Sequence, residues 1–545
     1  MQLNGLSLRT RVVSPINGEI IRFLTCALCL LAFARISGRA ATLDLNTATI
    51  ADLQAALVKG SLTSEKLMQL YLARIAAYDQ QGPTLNSIIV LSKDPLADAR
   101  AMDEERKAKG PRSPLHGIPI LVKDVFDVAG FPTAGGFKPM ANSFPARDAF
   151  MIHKLREAGA IIFGKLNESD WFGVAPPGAS TLKGQVRNPY DLTRIPGQSS
   201  SGTGASVAAW FCAAGLGSDT GGSVQIPSAD SNLFGMVSTR GAISRTGQIC
   251  SSITHERSGP ICRSMTDLAL MLTYMVGFDA EDQVTANSLG RLPTEPYTAF
   301  LNKGALKGAR LGVLRSLFRG SHEEYAEGYR LTDEAMKRLT AAGAILVDPV
   351  GLDFDLPEAL ADASVSSYER KPSHNWYLSR LPADAPIHSV DEMIAKAGDI
   401  VKPVVKESNA LPPLDHYEPY LARLKQQQVI REAVIAMMDR YQLDALIYPF
   451  KVVPPAKIQI DAGSGGGGSG EGSTGSANIS ARTGLPALCA PAGLTKEGLP
   501  ISLQFLGRPW SEPKLIALGY AYEQASPARQ PPPNTPVLTG ETVSY

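Results

Sequence analysis

The sequence lacks the patterns by which metal-binding, disulfide-rich and nucleic-acid-binding proteins are recognised. Of its 545 residues only 6 are cysteine and 7 are histidine. His-Glu-x-x-His does not occur, and the one Cys-x-x-Cys spacing, from Cys26 to Cys29, lies in the first 40 residues, so no metal is expected. The 53 basic residues are balanced by 52 acidic ones, which argues against a nucleic-acid partner and favours a small neutral substrate. No phosphate- or dinucleotide-binding glycine motif follows a strand, and no cofactor is expected.

Charged residues are also scarce, and this low content argues for a folded globular chain. They make up 19% of the chain against 44% hydrophobic residues, which supports a substantial core and excludes general disorder. The length allows two to four domains, but large α/β folds often form one unit. We therefore predict one domain over residues 41–545.

The first 40 residues differ from the rest in composition. Arginines precede a 12-residue run of apolar and small residues from Phe23 to Ala34, and small residues at cleavage spacing follow at Gly38 to Ala41. This is the layout of a secretory signal peptide, and the run is too short to span a bilayer comfortably. We predict a signal over residues 1–40 and a secreted or periplasmic protein with no stable membrane span. The alternative is an organelle-targeting peptide, because the segment is rich in arginine.

Apolar periodicity predicts alternating helices and strands. Leucines at three- and four-residue steps predict two helices between Thr47 and Ile75, interrupted at Gly60. An apolar run before Lys123 predicts a buried strand, and the Ala-rich stretch from Gly204 to Leu216 predicts a helix. The alternation indicates an α/β fold, in which a central sheet is covered by helices on both faces.

Two segments lack this regular pattern. Residues 350–425 are rich in proline, tyrosine and histidine, and they are expected to form a helical excursion that carries specificity. The Gly/Ser-rich segment 463–476 has almost no side chains with which to build a core. It is either a flexible linker or a mobile loop that returns to the same domain and gates the substrate pocket.

Two serine- and glycine-rich clusters are the most unusual feature of the chain. The first runs from Ile195 to Gly204 and opens a predicted helix; the second ends at Ser223, 24 residues after Ser199. Small residues let the backbone approach a ligand closely, so amides near Gly221 could converge on one oxygen. Neither cluster contains Gly-x-Ser-x-Gly, which excludes the nucleophile elbow of α/β-hydrolases.

Lys123 stands at the far end of the apolar run 118–122. A lysine at a strand end is often only a surface residue. Here the two downstream serine clusters favour a catalytic lysine instead.

Taken together, these motifs resemble the amidase signature family of serine hydrolases. The likeness runs from about Thr47 to Gln524, with several separated motifs in the right order. Besides the serine clusters and the stretch Gly117 to Asp124, it includes Asp148 to Glu168, Asn188-Pro189, Ser258 to Pro260 and Gly484 to Gly493. The resemblance implies a central twisted mixed β-sheet covered by helices on both faces.

The resemblance also implies a catalytic set without histidine. Ser223 would be the nucleophile, Ser199 a relay held through a cis peptide, and Lys123 the base. Ser200 would support Lys123 by a hydrogen bond, with Asp219 as a further supporting residue. The oxyanion hole would be formed by the backbone amides of Thr220, Gly221, Gly222 and Ser223.

Chemistry explains the need for such a set. A serine hydroxyl is a weak nucleophile until a base takes its proton. A lysine can act as that base only when neutral, and burial favours its neutral form. The relay serine would carry the proton to the lysine and later return it to the departing amine.

Three positions depart from the family pattern. Gln225 stands where an arginine is common two residues after the nucleophile, and Gln198 and Ser201 stand where glycine is common. The usual arginine would pair with Asp219. In this chain Asp219 therefore needs another partner.

The substrate pocket is the least specified part of the prediction. The stretch Trp171, Phe172, Gly173, Val174 corresponds to residues that approach the acyl part of the substrate in the family; ordinary core packing is the alternative. We expect hydrolysis of small, largely apolar amides, with carbamates or aryl anilides as close alternatives and esters also cleavable. An amidotransferase subunit or a noncatalytic binding protein fits less well, and a homo-oligomer is compatible with the sequence.

Overall fold

The computed structural model describes residues 42–171, 175–318, 323–398, 401–458, 477–526 and 529–544. The predicted signal over residues 1–40 and the Gly/Ser-rich segment 463–476 lie outside these residues. The predicted pocket residues Phe172, Gly173 and Val174 lie outside them as well.

An eleven-stranded mixed sheet forms the centre of the fold. Its spatial order is β11-β10-β12-β14-β13-β8-β9-β7-β3-β4-β2, and two short two-stranded pairs, β1 with β15 and β5 with β6, lie apart from it. The strands are β1 Thr42–Leu43, β2 Ile88–Leu91, β3 Pro119–Lys123, β4 Ile161–Leu166, β5 Ala179–Ser180, β6 Gly184–Gln185, β7 Ala214–Asp219, β8 Phe234–Val237, β9 Arg257–Cys262, β10 Arg310–Leu314, β11 Ile345–Val350, β12 Ala445–Lys451, β13 Ala487–Leu494, β14 Pro500–Leu506 and β15 Val543–Ser544.

Both faces of this sheet are apolar and covered. Successive side chains of a strand point to opposite faces. In β3, Ile120 and Val122 belong to one hydrophobic core, whereas Leu121 belongs to a second. In β12, Ile447 lies in the first core and Leu446 in the second. The mixed α/β fold with helices on both sides of the sheet, which the sequence predicts, is confirmed.

The helices begin and end where local chemistry favours it. The first is capped by Thr49, whose hydroxyl accepts a hydrogen bond from the amide of Asp52, and it ends at the left-handed Gly60. The helices are α1 Ile50–Lys59, α2 Ser64–Tyr78, α3 Pro95–Lys109, α4 Phe150–Glu157, α5 Ser201–Ala208, α6 Gln225–Asp230, α7 Met265–Met275, α8 Ala326–Ala341, α9 Leu356–Asp362, α10 Ser366–Leu378, α11 Val390–Ala397, α12 Pro403–Asn409, α13 Glu418–Arg440, α14 Ala477–Thr483 and α15 Glu512–Ala525.

The prediction of a helix from Gly204 to Leu216 is wrong for the second half of that range. Helix α5 ends at Ala208, Trp210 takes a left-handed backbone with φ of 43°, and the chain enters strand β7 at Ala214. Alanine favours helix locally, but Ala214 pairs with Ile120 in the parallel ladder of β3 and β7. Pairing within the buried sheet overrides the local preference.

Other features agree with simple expectations. The excursion over residues 350–425 is helical, from α9 to the first turns of α13. The four described cysteines, including Cys250 and Cys262, are buried and free. Within the described ranges, each helix is too short or too polar to cross a bilayer.

Candidate active site

The central strands bring Lys123 and the second serine- and glycine-rich cluster to one edge of the sheet. Strand β3 ends at Lys123, and its parallel neighbour β7 ends at Asp219, with Val122 paired to Leu216. The carboxyl ends of parallel strands meet at the same edge, which is where α/β folds build their sites. The turn that follows β7 carries Ser223 and leads directly into α6.

Lys123 is buried and contacts two serine hydroxyls. Its side chain is only 1% exposed, and its Nζ donates to the Oγ of Ser199 and, over 2.9 Å, to the Oγ of Ser218. The peptide bond between Gln198 and Ser199 is cis. The structure therefore brings Lys123 together with Ser199, two residues that are 76 positions apart in the chain.

Ser200 does not occupy the position expected from the resemblance. Its hydroxyl donates to the carbonyl of Ser218 over 3.3 Å, and the second hydroxyl on Lys123 is that of Ser218. Ser200 packs against Gly217, where an added Cβ would lie 2.8 Å from the Ser200 Oγ. This packing directs Ser200 toward the backbone of β7, so Ser218 takes the supporting contact with Lys123.

Ser223 lies in a half-buried position in the turn between β7 and α6. Ser199 is also half-buried, whereas Lys123 is buried. Within the described part of the chain, no hydrogen bond joins the hydroxyls of Ser199 and Ser223. Such contacts are often long in unliganded enzymes and tighten when the substrate is bound.

The predicted oxyanion donors divide into two groups. The amide of Gly222, which the resemblance assigns to the oxyanion hole, donates to Oδ1 of Asp219 over 2.8 Å. The amides of Thr220, Gly221 and Ser223 have no hydrogen-bond acceptor among the described residues. Gly221 is exposed, and an added Cβ would meet nothing within 4 Å, so this turn faces open space.

Asp219 is hydrogen-bonded to Gln225, which is in turn hydrogen-bonded to a residue on a distant strand. Its Oδ2 accepts a hydrogen bond of 3.1 Å from the Gln225 side-chain amide and one of 2.9 Å from the backbone amide of Val224. The Gln225 oxygen in turn accepts a hydrogen bond of 2.9 Å from Gln504 on β14. A chain of neutral amides therefore stands where the family commonly has an arginine.

A buried carboxyl group next to Lys123 was not predicted from the sequence. Oε2 of Glu168 lies 3.4 Å from the Lys123 Nζ, and both side chains are 1% exposed. Burial raises the pKa of Glu168 to about 8, against the opposing effect of Lys123. A second buried pair, Lys165 with Asp124 at 3.1 Å, lies beside it. The sequence signals were a charge within or directly after an apolar run and, for Glu168 and Lys165, a place at the end of the motif Asp148 to Glu168.

Glu168 predicts an unusual dependence of stability on pH. Because its pKa is raised from 4.5 to about 8, the folded chain holds a proton that the unfolded chain releases. Its contribution to stability is full below pH 4.5 and is lost as the pH rises toward 8. Glu168→Gln cannot ionise, so it should remove a slope on the order of 1 kcal/mol per pH unit in this window. Urea titrations at several pH values measure it.

The matched control is Glu157→Gln, which alters a glutamate whose side chain is 64% exposed. It should keep the slope of the wild type. An unchanged slope in Glu168→Gln would show that Glu168 is ionised in the folded chain throughout this range.

A second buried carboxylate supports the turn before Ser223. Oε2 of Glu256 accepts a hydrogen bond of 2.6 Å from the hydroxyl of Thr220. Burial raises the pKa of Glu256. Its other oxygen accepts the side-chain amide of Gln248 over 3.1 Å. Nothing in the sequence placed Glu256 near this turn.

Trp171 is packed in the hydrophobic core. It is 6% exposed, its ring meets His374 edge-on at 4.4 Å, and Tyr377 lies at 6.3 Å. Gly135 leaves room for it, because a Cβ there would lie 2.4 Å from the Trp171 ring. These contacts correspond to the core-packing alternative for this residue.

A buried lysine beside serine hydroxyls, at the edge of a helix-covered mixed sheet, is the arrangement that the resemblance to the amidase signature family implies. Comparison with known proteins supports this resemblance. The family model described as Amidase matches residues 66–516, most of the chain. The chain therefore belongs to the amidase signature family, as the motifs indicated.

Its relatives include both hydrolases and amidotransferase subunits. A probable amidase of Arabidopsis thaliana is 31% identical, with 90% of this chain and 92% of the relative covered. A glutamyl-tRNA(Gln) amidotransferase subunit of Myxococcus xanthus is 32% identical, covering 88% and 98%. Among solved structures, the native peptide amidase of Stenotrophomonas maltophilia has a TM-score of 0.79 at 34% identity, covering 89% and 98%.

Proposed function

We propose that this protein is an amidohydrolase that cleaves small, largely apolar amides to an acid and an amine or ammonia. The reaction would pass through an acyl-enzyme on Ser223, with Ser199 as relay and Lys123 as base. The observation that carries the proposal is the hydrogen bond from the buried Lys123 Nζ to the Ser199 hydroxyl. This hydrogen bond connects the proposed base, Lys123, to the proposed relay, Ser199, through which the proton of Ser223 would pass.

In the first step Ser223 attacks the carbonyl carbon of the substrate. Its proton passes to the Ser199 oxygen as the Ser199 proton passes to neutral Lys123. A bond forms between the Ser223 oxygen and the carbonyl carbon, and the carbonyl electrons move to the oxygen. The result is a tetrahedral oxyanion and a lysine ammonium.

The oxyanion would be stabilised by the backbone of the turn before Ser223. The amides of Thr220, Gly221 and Ser223 have no acceptor among the described residues, so they remain available to a developing negative charge. Preorganised amide donors of this kind cost no reorganisation when the charge forms. Asp219 fixes the turn through its hydrogen bond with Gly222.

In the second step the carbon–nitrogen bond breaks. Lys123 returns its proton through Ser199 to the leaving nitrogen, which departs as a neutral amine or ammonia. Water then repeats the path, giving one proton to the relay and its oxygen to the acyl carbon. The carboxylic acid leaves, and the Ser223 hydroxyl is restored.

The substrate class has several candidates. The peptide amidases among the solved relatives support amides as substrates, and they add peptide amides to the range. Carbamates and aryl anilides are the close alternatives, because each passes through the same tetrahedral oxyanion. The amidotransferase subunits found as relatives make glutamine a further compound to test.

A turnover screen of the full chain tests the proposal. The panel comprises apolar aliphatic amides, peptide amides, anilides, carbamates, esters and glutamine, each compared by kcat/KM. We expect the highest values for apolar amides and the lowest for glutamine. Turnover restricted to glutamine would favour an amidotransferase component, and the absence of any turnover would favour a noncatalytic binding protein.

A further inference from the structure

A pocket that is separate from the serine clusters is lined by four arginines. It has a volume of about 370 Å³ and lies between the middle of α13, the end of α14 and Trp510. The arginines are Arg240, Arg291, Arg431 and Arg482, and no aspartate or glutamate lines the pocket. Neither Lys123, Ser199 nor Ser223 contributes to its walls.

The charges of these arginines are not neutralised by the protein. Among the described residues, none of the four forms an ion pair with a carboxylate. Arg482 is 8% exposed, and its one hydrogen bond within that part of the chain runs from Nε to the carbonyl of Leu360 over 3.2 Å. Its two terminal nitrogens are therefore left for an acceptor in the pocket. A buried guanidinium without a partner is costly unless something binds it.

The other three arginines are held only by neutral groups. One nitrogen of Arg240 donates to the carbonyl of Ala481 over 3.1 Å, while its buried Nε has no partner among the described residues. Arg431 donates to the carbonyl of Thr483. Arg291 lies with its guanidinium 5.5 Å from the ring centre of Trp510. Carbonyl and aromatic contacts orient these cations without removing their charge.

The carboxylate that acts on Arg240 from a distance is already satisfied by other donors. This group, Glu369, accepts the hydroxyls of Thr254 and Tyr420 over 2.9 Å and 2.8 Å. Burial and the mutual repulsion with Arg257 and Arg431 lower the pKa of Arg240 to about 9. Burial lowers the pKa of Arg482 to about 10. An anion in the pocket would relieve this repulsion.

We propose that Arg240, Arg291, Arg431 and Arg482 form a binding site for a small multivalent oxyanion, outside the proposed catalytic centre. Guanidinium groups bind carboxylate and phosphate oxygens through paired, charge-assisted hydrogen bonds. The pocket volume falls at the lower end of the range for small-molecule sites. The ligand is a phosphate-bearing or dicarboxylate molecule, since both present oxyanions to several guanidinium groups.

Calorimetric titration of the full chain with inorganic phosphate and with succinate, at constant ionic strength, tests this site. We expect saturable binding of at least one anion, and the stronger of the two identifies the chemistry of the ligand. Arg431→Gln should weaken that binding by about tenfold or more, because it removes one charged donor. Arg291→Gln, at the exposed rim, gives a second variant if Arg431→Gln does not fold.

The matched control is Arg440→Gln, which alters an arginine of the same helix α13. Its side chain is 61% exposed and lies outside the pocket. It should bind the anion as the wild type does. Binding that is absent for both anions, or equally weakened by Arg440→Gln, would overturn the proposal.

Discussion

Replacing Ser223 with alanine should abolish amide turnover, with kcat lowered on the order of 10⁵-fold. The substitution removes the oxygen that forms the acyl-enzyme, and the other hydroxyl of this turn, that of Thr220, is bound to Glu256. The residual rate would come from binding and from the amides of the turn. Steady-state kinetics with an apolar amide and labelling by a fluorophosphonate probe measure the effect.

The control for this substitution lies in the neighbouring serine cluster. Ser201 is buried at the start of α5, and its hydroxyl has no hydrogen-bond partner within the described ranges. Ser201→Ala should therefore keep most of the activity and all of the labelling. Labelling that persists in Ser223→Ala would refute the assignment of the nucleophile.

Replacing Lys123 with alanine should lower kcat by about 10³-fold while the chain still folds. The substitution removes the group that takes the proton from Ser199, to which the Lys123 Nζ is hydrogen-bonded. Kinetics with an amide substrate, combined with circular dichroism and thermal unfolding, separate the loss of catalysis from a loss of structure. Near-normal kinetics would refute the role of Lys123 as base.

Lys123→Arg gives a sharper form of the same test. An arginine keeps the positive charge and the donors toward Ser199 and Ser218, but it stays protonated at all accessible pH values. It should therefore be nearly as inactive as Lys123→Ala. An active Lys123→Arg variant would mean that the charge at this position matters and that proton transfer to it does not.

Much of the fold could be predicted from local patterns. Helices α1 and α2 and the strand ending at Lys123 follow from leucine periodicity and a short apolar run. The stretch after Ala208 could not be predicted in this way, because its strand β7 forms by pairing with β3 on one side and with β9 on the other, and both are distant in the sequence. Local composition carries no information about such a distant partner.

The site shows the same division. Lys123 and the serine clusters could be identified because their motifs are continuous in the sequence. The contacts of Ser218 and Glu168 with Lys123 could not, because they depend on how three strands pack together. From the sequence, Ser200 was expected to contact Lys123, but Ser218 makes that contact. The sequence does not show that the Ser200 hydroxyl faces the backbone of β7.

The amide chain from Gln504 through Gln225 to Asp219 has a consequence for biosynthesis. Gln504 lies 279 positions after Gln225, on a strand close to the C-terminal end of the chain. During translation the turn that carries Ser223 emerges long before the residue that completes its support. The turn would therefore lack this support until β14 has been translated and has joined the sheet, and we expect hydrolytic competence to arise only then.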